Sequence, residues 1–104
     1  MAQIQITPAE FHGSLGGVHP PAGLSAPLTA LWHAAQGDWD KAHDLINDDE
    51  TAAAAWVHAH LHRVEGDLVN AGYWYGRAGK PVATASTDEE WKQIADALLL
   101  QGGW

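Results

Sequence analysis

The sequence predicts an all-α domain of about four helices followed by a C-terminal capping helix. Apolar residues recur at helical spacing through most of residues 25–104. Gly-Asp pairs at 37–38 and 66–67 separate successive helical patterns, as expected where glycine ends one helix and aspartate caps the next. Closely spaced glycines and prolines interrupt residues 1–24, although the capping-box spacing of Thr7 and Glu10 allows one short helical turn that ends by Gly13. We therefore expect an irregular N-terminal arm over 1–24 and a single α-helical repeat domain over 25–104.

The five predicted helices are bounded by polar caps and by glycines. They run from the Ser25 cap to the Gly37 stop, from the Asp38 cap to about Asn47, from about Thr51 to Glu65, from the Asp67 cap to Ala78, and from the Thr87–Glu90 capping box to about Gln101. In the second helix, the apolar stripe leaves His43 facing water. In the fourth, the buried stripe consists of Leu68, Ala71, Tyr75 and Ala78.

Composition and charge exclude several classes of function. The chain has no cysteine, which rules out disulfides, thiolate chemistry and cysteine-based zinc sites. A formal charge of −8 argues against binding to a phosphate backbone, so nucleic acid is not an expected partner. No apolar run approaches the roughly 20 residues of a membrane span. We therefore expect a cytoplasmic protein with no membrane partner.

The third helix carries a candidate metal site. Placed at about 100° per residue, its apolar side holds Val57 and Leu61, and the other side holds His58, His62 and Glu65. If the helix has only one apolar face, these histidines are exposed. Their i, i+4 and i+7 spacing suits two imidazoles and a carboxylate sharing a divalent metal. The alternative is a solvated or packed helix face.

The chain contains a short internal repeat. A shift of 29 residues superimposes the two Gly-Asp turns and aligns Ala30 with Ala59 and Ala42 with Ala71. These small residues, together with Ala78 and the aromatic Tyr75, make the region from Ala26 to Pro81 resemble the tetratricopeptide and Sel1-like repeat families. The resemblance implies stacked helical hairpins. The period of 29 departs from the 34 residues usual in tetratricopeptide units.

In tetratricopeptide repeats, the positions matching Trp56, His60 and Arg63 look into the concave groove that holds partner peptides. The resemblance therefore implies that Arg63 meets a carboxylate and Trp56 anchors an apolar group. His60, which falls between Val64 and Trp56 on the helix, is expected to be at least half buried. The alternative is core packing with Arg63 at the rim.

A second candidate binding surface lies on the fourth helix. Asn70, Tyr73, Trp74 and Arg77 form an aromatic and basic group in an acidic chain, and such residues are common in interface hot spots. Alternatively, Tyr73 and Trp74 pack beneath the C-terminal helix or the N-terminal arm.

The leading functional interpretation is a helical module that binds a protein or peptide partner or a second copy of itself. The alternative is a small-ligand or metal-binding protein, catalytic or not, centred on the histidine-rich third helix. No Ser-His-Asp ordering, glycine-rich phosphate loop or paired catalytic carboxylate stands out, and no HExxH motif is present. An enzyme is therefore not favoured, and no catalytic residue is assigned. The only cofactor that these patterns suggest is a divalent metal.

Overall fold

The computed structural model describes residues 6–100, and over that range the chain is helical with no strand. The six α-helices are α1 Pro8–Gly13, α2 Ala26–Ala35, α3 Trp39–Ile46, α4 Ala52–Val64, α5 Leu68–Ala78 and α6 Thr87–Leu100. A 3₁₀ turn, Ser14–Gly16, follows α1. The all-α fold class is thus confirmed. None of the helices in the described range has both the length and the apolarity needed to cross a bilayer.

Both Gly-Asp turns have the same local geometry. Gly37 and Gly66 adopt φ of +81° and +87°, which strains any residue with a Cβ. The aspartate after each glycine accepts a backbone N–H at the start of the next helix, Asp38 from Lys41 at 3.2 Å and Asp67 from Asn70 at 3.1 Å. The turns thereby join α2 to α3 and α4 to α5 as two helical hairpins. A tetratricopeptide-like arrangement of these hairpins stays a prediction.

The count of five helices was too low, because the predicted irregular arm contains α1. Thr7 and Glu10 form a capping box, and Pro8 occupies the first turn. Phe11 is fully buried and stacks on Trp91 of α6, with ring centroids 5.9 Å apart. This contact stabilises a helix too short to persist alone in water.

Buried side chains of α1, α2, α3, α4 and α6 form the main core. Three tryptophans in or beside this core donate hydrogen bonds from their indole N–H groups to other segments of the chain. Trp32 donates to Ser14 Oγ at 3.1 Å, Trp39 to the Leu61 carbonyl at 2.7 Å, and Trp91 to the Leu31 carbonyl at 2.7 Å. Each large ring therefore buries apolar area without leaving its polar atom unpaired.

Two details of the predicted helix surfaces were wrong. Leu68 is 67% exposed, because it is the first residue of α5 and lies beyond the last turn of α4. The cap of α6 is Ser86, whose hydroxyl accepts from the Glu89 N–H at 3.1 Å. Glu90, predicted to complete a capping box with Thr87, is instead buried, with 2% of its surface exposed.

We expect the Gly-Asp caps to contribute equally to stability. Asp38→Ala and Asp67→Ala should each lower the free energy of unfolding by about 1 kcal/mol, because each removes the acceptor for an otherwise unpaired N–H. Urea denaturation measures this, with the exposed Asp44→Ala as the control. A loss at one turn only would show that the two turns are not equivalent.

Candidate functional site

Helix α4 carries three buried histidines, because it is covered on more than one side. His58, His60 and His62 are 3%, 2% and 7% exposed. The condition under which His58 and His62 would be exposed, a single apolar face, is not met, since α4 packs against α2, α3, α5 and α6. The rings of His58 and His62 both contact the ring of His43, and His58 also stacks on Trp74. His60 instead lies against Glu90 of α6.

His43, His58 and His62 form what we call the histidine cluster. One ligand nitrogen from each lies within 4.8 Å of the other two. The Nε2 atoms of His43 and His58 are 3.0 Å apart. His43, predicted to face water, is half-buried on α3 and brings the third imidazole across the boundary between the two hairpins. The cluster therefore joins α3 to α4.

Aromatic and carboxylate neighbours fix the orientation of each imidazole. His43 stacks on Trp39, with centroids 4.9 Å apart and planes at 9°, and His58 stacks on Trp74 at 3.9 Å and 12°. His62 Nδ1 lies 2.6 Å from Glu65 Oε1. Glu65, predicted as a ligand beside His58 and His62, thus holds the ring of His62. A carboxylate in this position sets the tautomer so that Nε2 keeps its lone pair.

Burial keeps His58 neutral. Desolvation, followed by the neighbouring charges of His43 and His62, lowers the pKa of His58 to about 4. At neutral pH its imidazole therefore offers one lone pair and one N–H. Neutral imidazole is the form that binds transition metals, and three of them converging is a ligand set used by zinc proteins.

The other side of α4 contains a buried polar group that we call the Glu90 network. Glu90 Oε1 lies 2.7 Å from His60 Nδ1 and accepts from Arg63 Nη1 at 3.2 Å, while Glu90 Oε2 accepts from the Tyr75 hydroxyl. Arg63 also donates to the carbonyl of Ala85. The network thus ties α4 and α5 to the loop before α6 and to α6 itself.

The carboxylate of Glu90 is stabilised as an anion. Burial alone raises its pKa, but the hydrogen bonds from His60 and Tyr75, the charge of His60 and the bond from Arg63 outweigh burial and leave the pKa of Glu90 below its ordinary value of 4.5. Burial, with the hydrogen bond to Glu90, raises the pKa of Tyr75. Tyr75 therefore stays a hydrogen-bond donor at neutral pH.

The structure distributes the predicted protein-binding residues over several environments. His60 and Arg63 belong to the Glu90 network, and half-buried Trp56 lies under the Lys80 ammonium, 4.3 Å from its ring centroid. Trp74 covers His58.

The outer face of α5 holds the remaining predicted binding residues. Tyr73 is 56% exposed and accepts a hydrogen bond from exposed Arg77 at 3.0 Å, and Asn70 is half-buried. Protein binding at these positions stays a prediction.

Sequence reasoning missed three residues of these two groups. His43 stands four residues after Trp39, a spacing that places both rings on one side of α3. Glu90 was not recognised as a buried carboxylate because its position three residues after Thr87 matches the pattern of a capping box. Tyr75 was identified as a core aromatic, and nothing local indicated that its hydroxyl meets a carboxylate.

We expect Glu90 to make stability depend on pH in the acidic range. Its folded pKa lies below the unfolded value, so its contribution is present above pH 4.5 and is lost as pH falls through the folded pKa. Glu90→Gln should lower the free energy of unfolding by about 3 kcal/mol at pH 7, because Arg63 loses a buried charge partner. The difference from wild type should shrink as pH falls below 4.5.

Chemical denaturation between pH 7 and pH 3 measures that difference, and exposed Glu89→Gln is the neighbouring control. A difference that stays constant over this range would show that Glu90 is not ionised in the folded protein.

Comparison with known proteins gives the chain no family: no protein-family model, no curated protein and no solved structure matches it. The resemblance to tetratricopeptide and Sel1-like repeats therefore stays a prediction, and the functional argument depends on the geometry of the sites alone.

Proposed function

We propose that this protein binds a divalent transition-metal ion, with Zn²⁺ the favoured ion, through His43, His58 and His62. The observation that carries the proposal is the convergence of three imidazole nitrogens within 4.8 Å of one another from two different helices. It deepens the metal interpretation of the third helix and replaces Glu65 by His43 as a ligand.

The distances suit a metal after small side-chain adjustments. Zinc–imidazole bonds are about 2.0–2.1 Å long, so tetrahedral ligand nitrogens stand roughly 3.3–3.4 Å apart. The Nε2 atoms of His43 and His58 are 3.0 Å apart, and the three ligand nitrogens all lie within 4.8 Å of one another. A pair at that outer limit reaches the zinc-bound separation if each nitrogen moves by about 0.7 Å, which small rotations about χ1 and χ2 provide. Because Trp39 and Trp74 hold the ring planes, little side-chain entropy is lost on binding.

The type of ligand favours zinc or a similar ion. Imidazole suits Zn²⁺, Ni²⁺ and Cu²⁺, whereas Mg²⁺ and Ca²⁺ prefer the oxygen ligands that the histidine cluster lacks. Three protein ligands leave a fourth position for water or another small ligand. His43, the half-buried member, marks the side of the cluster nearest to solvent.

A competing ligand set consists of His62, Glu65 and Asp67, whose ligand atoms also lie within 4.8 Å of one another. Asp67 is already engaged as the cap of α5, and both Glu65 and Asp67 are exposed to solvent. We favour the histidine cluster because two of its three members are desolvated and an ion there replaces no existing helix cap. The two sets are separated by His43 and Asp67, each of which belongs to one set only.

An ion held by the histidine cluster would join the two helical hairpins. His43 belongs to the α2–α3 hairpin, and His58 and His62 belong to the α4–α5 hairpin. An ion that binds the folded state and not the unfolded chain stabilises the folded state by mass action. Metal-dependent stability is thus the first consequence of the site.

We expect tag-free protein to bind one Zn²⁺ per chain and to melt at higher temperature with Zn²⁺ present. His43→Ala should weaken Zn²⁺ binding by more than about 100-fold, because a direct ligand counts for more than an outer-shell partner. Isothermal titration calorimetry and thermal unfolding measure the two effects.

Two control variants separate the alternatives. His19→Ala changes an exposed histidine outside the cluster and should leave binding unchanged. Asp67→Asn should also leave it unchanged. Absence of heat and of any melting shift with Zn²⁺ would reject the proposal, and a loss in Asp67→Asn but not in His43→Ala would move the site to the competing set.

The role of Glu65 gives a separate prediction. Because Glu65 orients His62, Glu65→Ala should weaken Zn²⁺ binding by about 10- to 100-fold, less than the loss of a direct ligand. The comparison is a calorimetric titration of Glu65→Ala beside His43→Ala, with exposed Glu50→Ala as the control. A loss equal to that of His43→Ala would show that Glu65 itself is a ligand.

A further inference from the structure

A cavity lies between the C-terminal part of α4, the α2–α3 turn, the start of α6 and the segment after α1. Its volume is about 480 Å³, within the range of roughly 300–1,000 Å³ typical of small-molecule sites. The wall is formed by His12, Leu15, Ala34, Ala35, Gly37, Trp39, His60, Leu61, Val64, Thr87, Asp88, Trp91 and Lys92.

Most of this wall is apolar, and two of its rings are held in place. Trp39 and Trp91 both have their indole N–H engaged with backbone carbonyls at 2.7 Å. They therefore offer the cavity aromatic surface and no free donor. Two fixed indole rings together with Leu15 and Leu61 suit a flat, apolar occupant better than a strongly hydrated one.

Among the described residues of the wall, His60 is the one deeply buried polar side chain, with 2% of its surface exposed. Its Nδ1 is bound to Glu90, which is not part of this wall, so the opposite edge of the ring points toward the cavity. Within residues 6–100, Nε2 makes no hydrogen bond. Every fully buried side-chain nitrogen or oxygen in that range does have a hydrogen-bond partner, so Nε2 is not fully buried. Nε2 must therefore be open to the cavity.

The hydrogen-bonding role of Nε2 follows from the Glu90 network. Glu90 is an anion and can only accept, so Nδ1 of His60 carries a proton and donates it to Glu90. Nδ1 is thereby occupied within the protein. Nε2 is the ring nitrogen left to hydrogen-bond with an occupant of the cavity.

The polar groups at the rim leave little net charge. His12 is paired with Asp96 through Nε2 at 3.0 Å. Asp88 and Lys92, which are exposed, carry opposite charges four residues apart on α6. Neither a cation nor an anion is therefore specially attracted, and a neutral ligand fits the rim.

We infer that this cavity binds a small neutral aromatic compound bearing a hydroxyl group, a phenol in chemical class, whose hydroxyl hydrogen-bonds to His60 Nε2. The aromatic ring lies against the wall that includes Trp39 and Trp91, and the hydroxyl pairs a buried ring nitrogen that makes no hydrogen bond within the described residues. This site is separate from the histidine cluster, although Trp39 borders both, and it does not depend on metal binding.

The test compares two ligands that differ only in the hydroxyl, 4-ethylphenol and ethylbenzene. Isothermal titration calorimetry of the whole chain should show 4-ethylphenol binding about tenfold more tightly than ethylbenzene, as expected for one buried hydrogen bond. His60→Asn keeps an amide donor for Glu90 and removes Nε2, so it should abolish the preference. His12→Asn, in the same wall, should retain it.

A second variant covers the case in which His60→Asn does not fold. Ala34→Phe places a ring into the cavity from half-buried Ala34 on α2 and should abolish binding of both ligands while the helical circular dichroism is kept. Equal binding of the two ligands, binding of neither at millimolar concentration, a preference that survives in His60→Asn, or binding that survives in Ala34→Phe would each overturn the inference.

Discussion

The buried carboxylate of Glu90 constrains this structure because an unpaired charge at that depth is far more costly than any single lost apolar contact. Its three partners come from two helices: His60 and Arg63 from α4, and Tyr75 from α5. Arg63 also fixes the loop before α6 through the carbonyl of Ala85. The direction in which α6 crosses the hairpins is therefore set by hydrogen-bond geometry as much as by apolar packing. The cavity wall contributed by α6 depends on the same constraint.

The spacing of the histidines on α4 places the histidine cluster and the Glu90 network on opposite sides of this helix. Residues two apart on a helix face nearly opposite directions, and residues four apart share a side. His58 and His62 therefore join the histidine cluster, and His60 joins the Glu90 network on the other side. One helix thus presents converging nitrogen ligands on one side and a hydrogen-bonded polar group around Glu90 on the other. The first suits the proposed metal ion, and the second leaves Nε2 of His60 facing a mostly apolar cavity.

What could be predicted from the sequence was mostly local. The Gly-Asp turns and the helix bounds near them depend on neighbours within four residues, and Asp38 and Asp67 were identified as the caps that they form. The partners of the candidate sites depend on contacts far along the chain. The bond between His60 and Glu90 joins residues 30 apart, and Glu90 has the same local pattern as a capping residue. His43 was predicted to be exposed because the sequence of α3 has one apolar stripe and gives no sign that another helix covers a second side.

The connectivity of the structure also bears on the order in which its parts assemble. Each hairpin closes around a short Gly-Asp turn, so the loss of chain entropy is small and the two hairpins can form early. Docking of α6 joins Trp91 to Phe11 and to Leu31, contacts between distant parts of the chain, and it requires desolvation of Glu90. We expect that docking to be the slow, long-range step. Partial detachment of α6 would therefore remove one wall of the cavity while each hairpin keeps its own internal contacts.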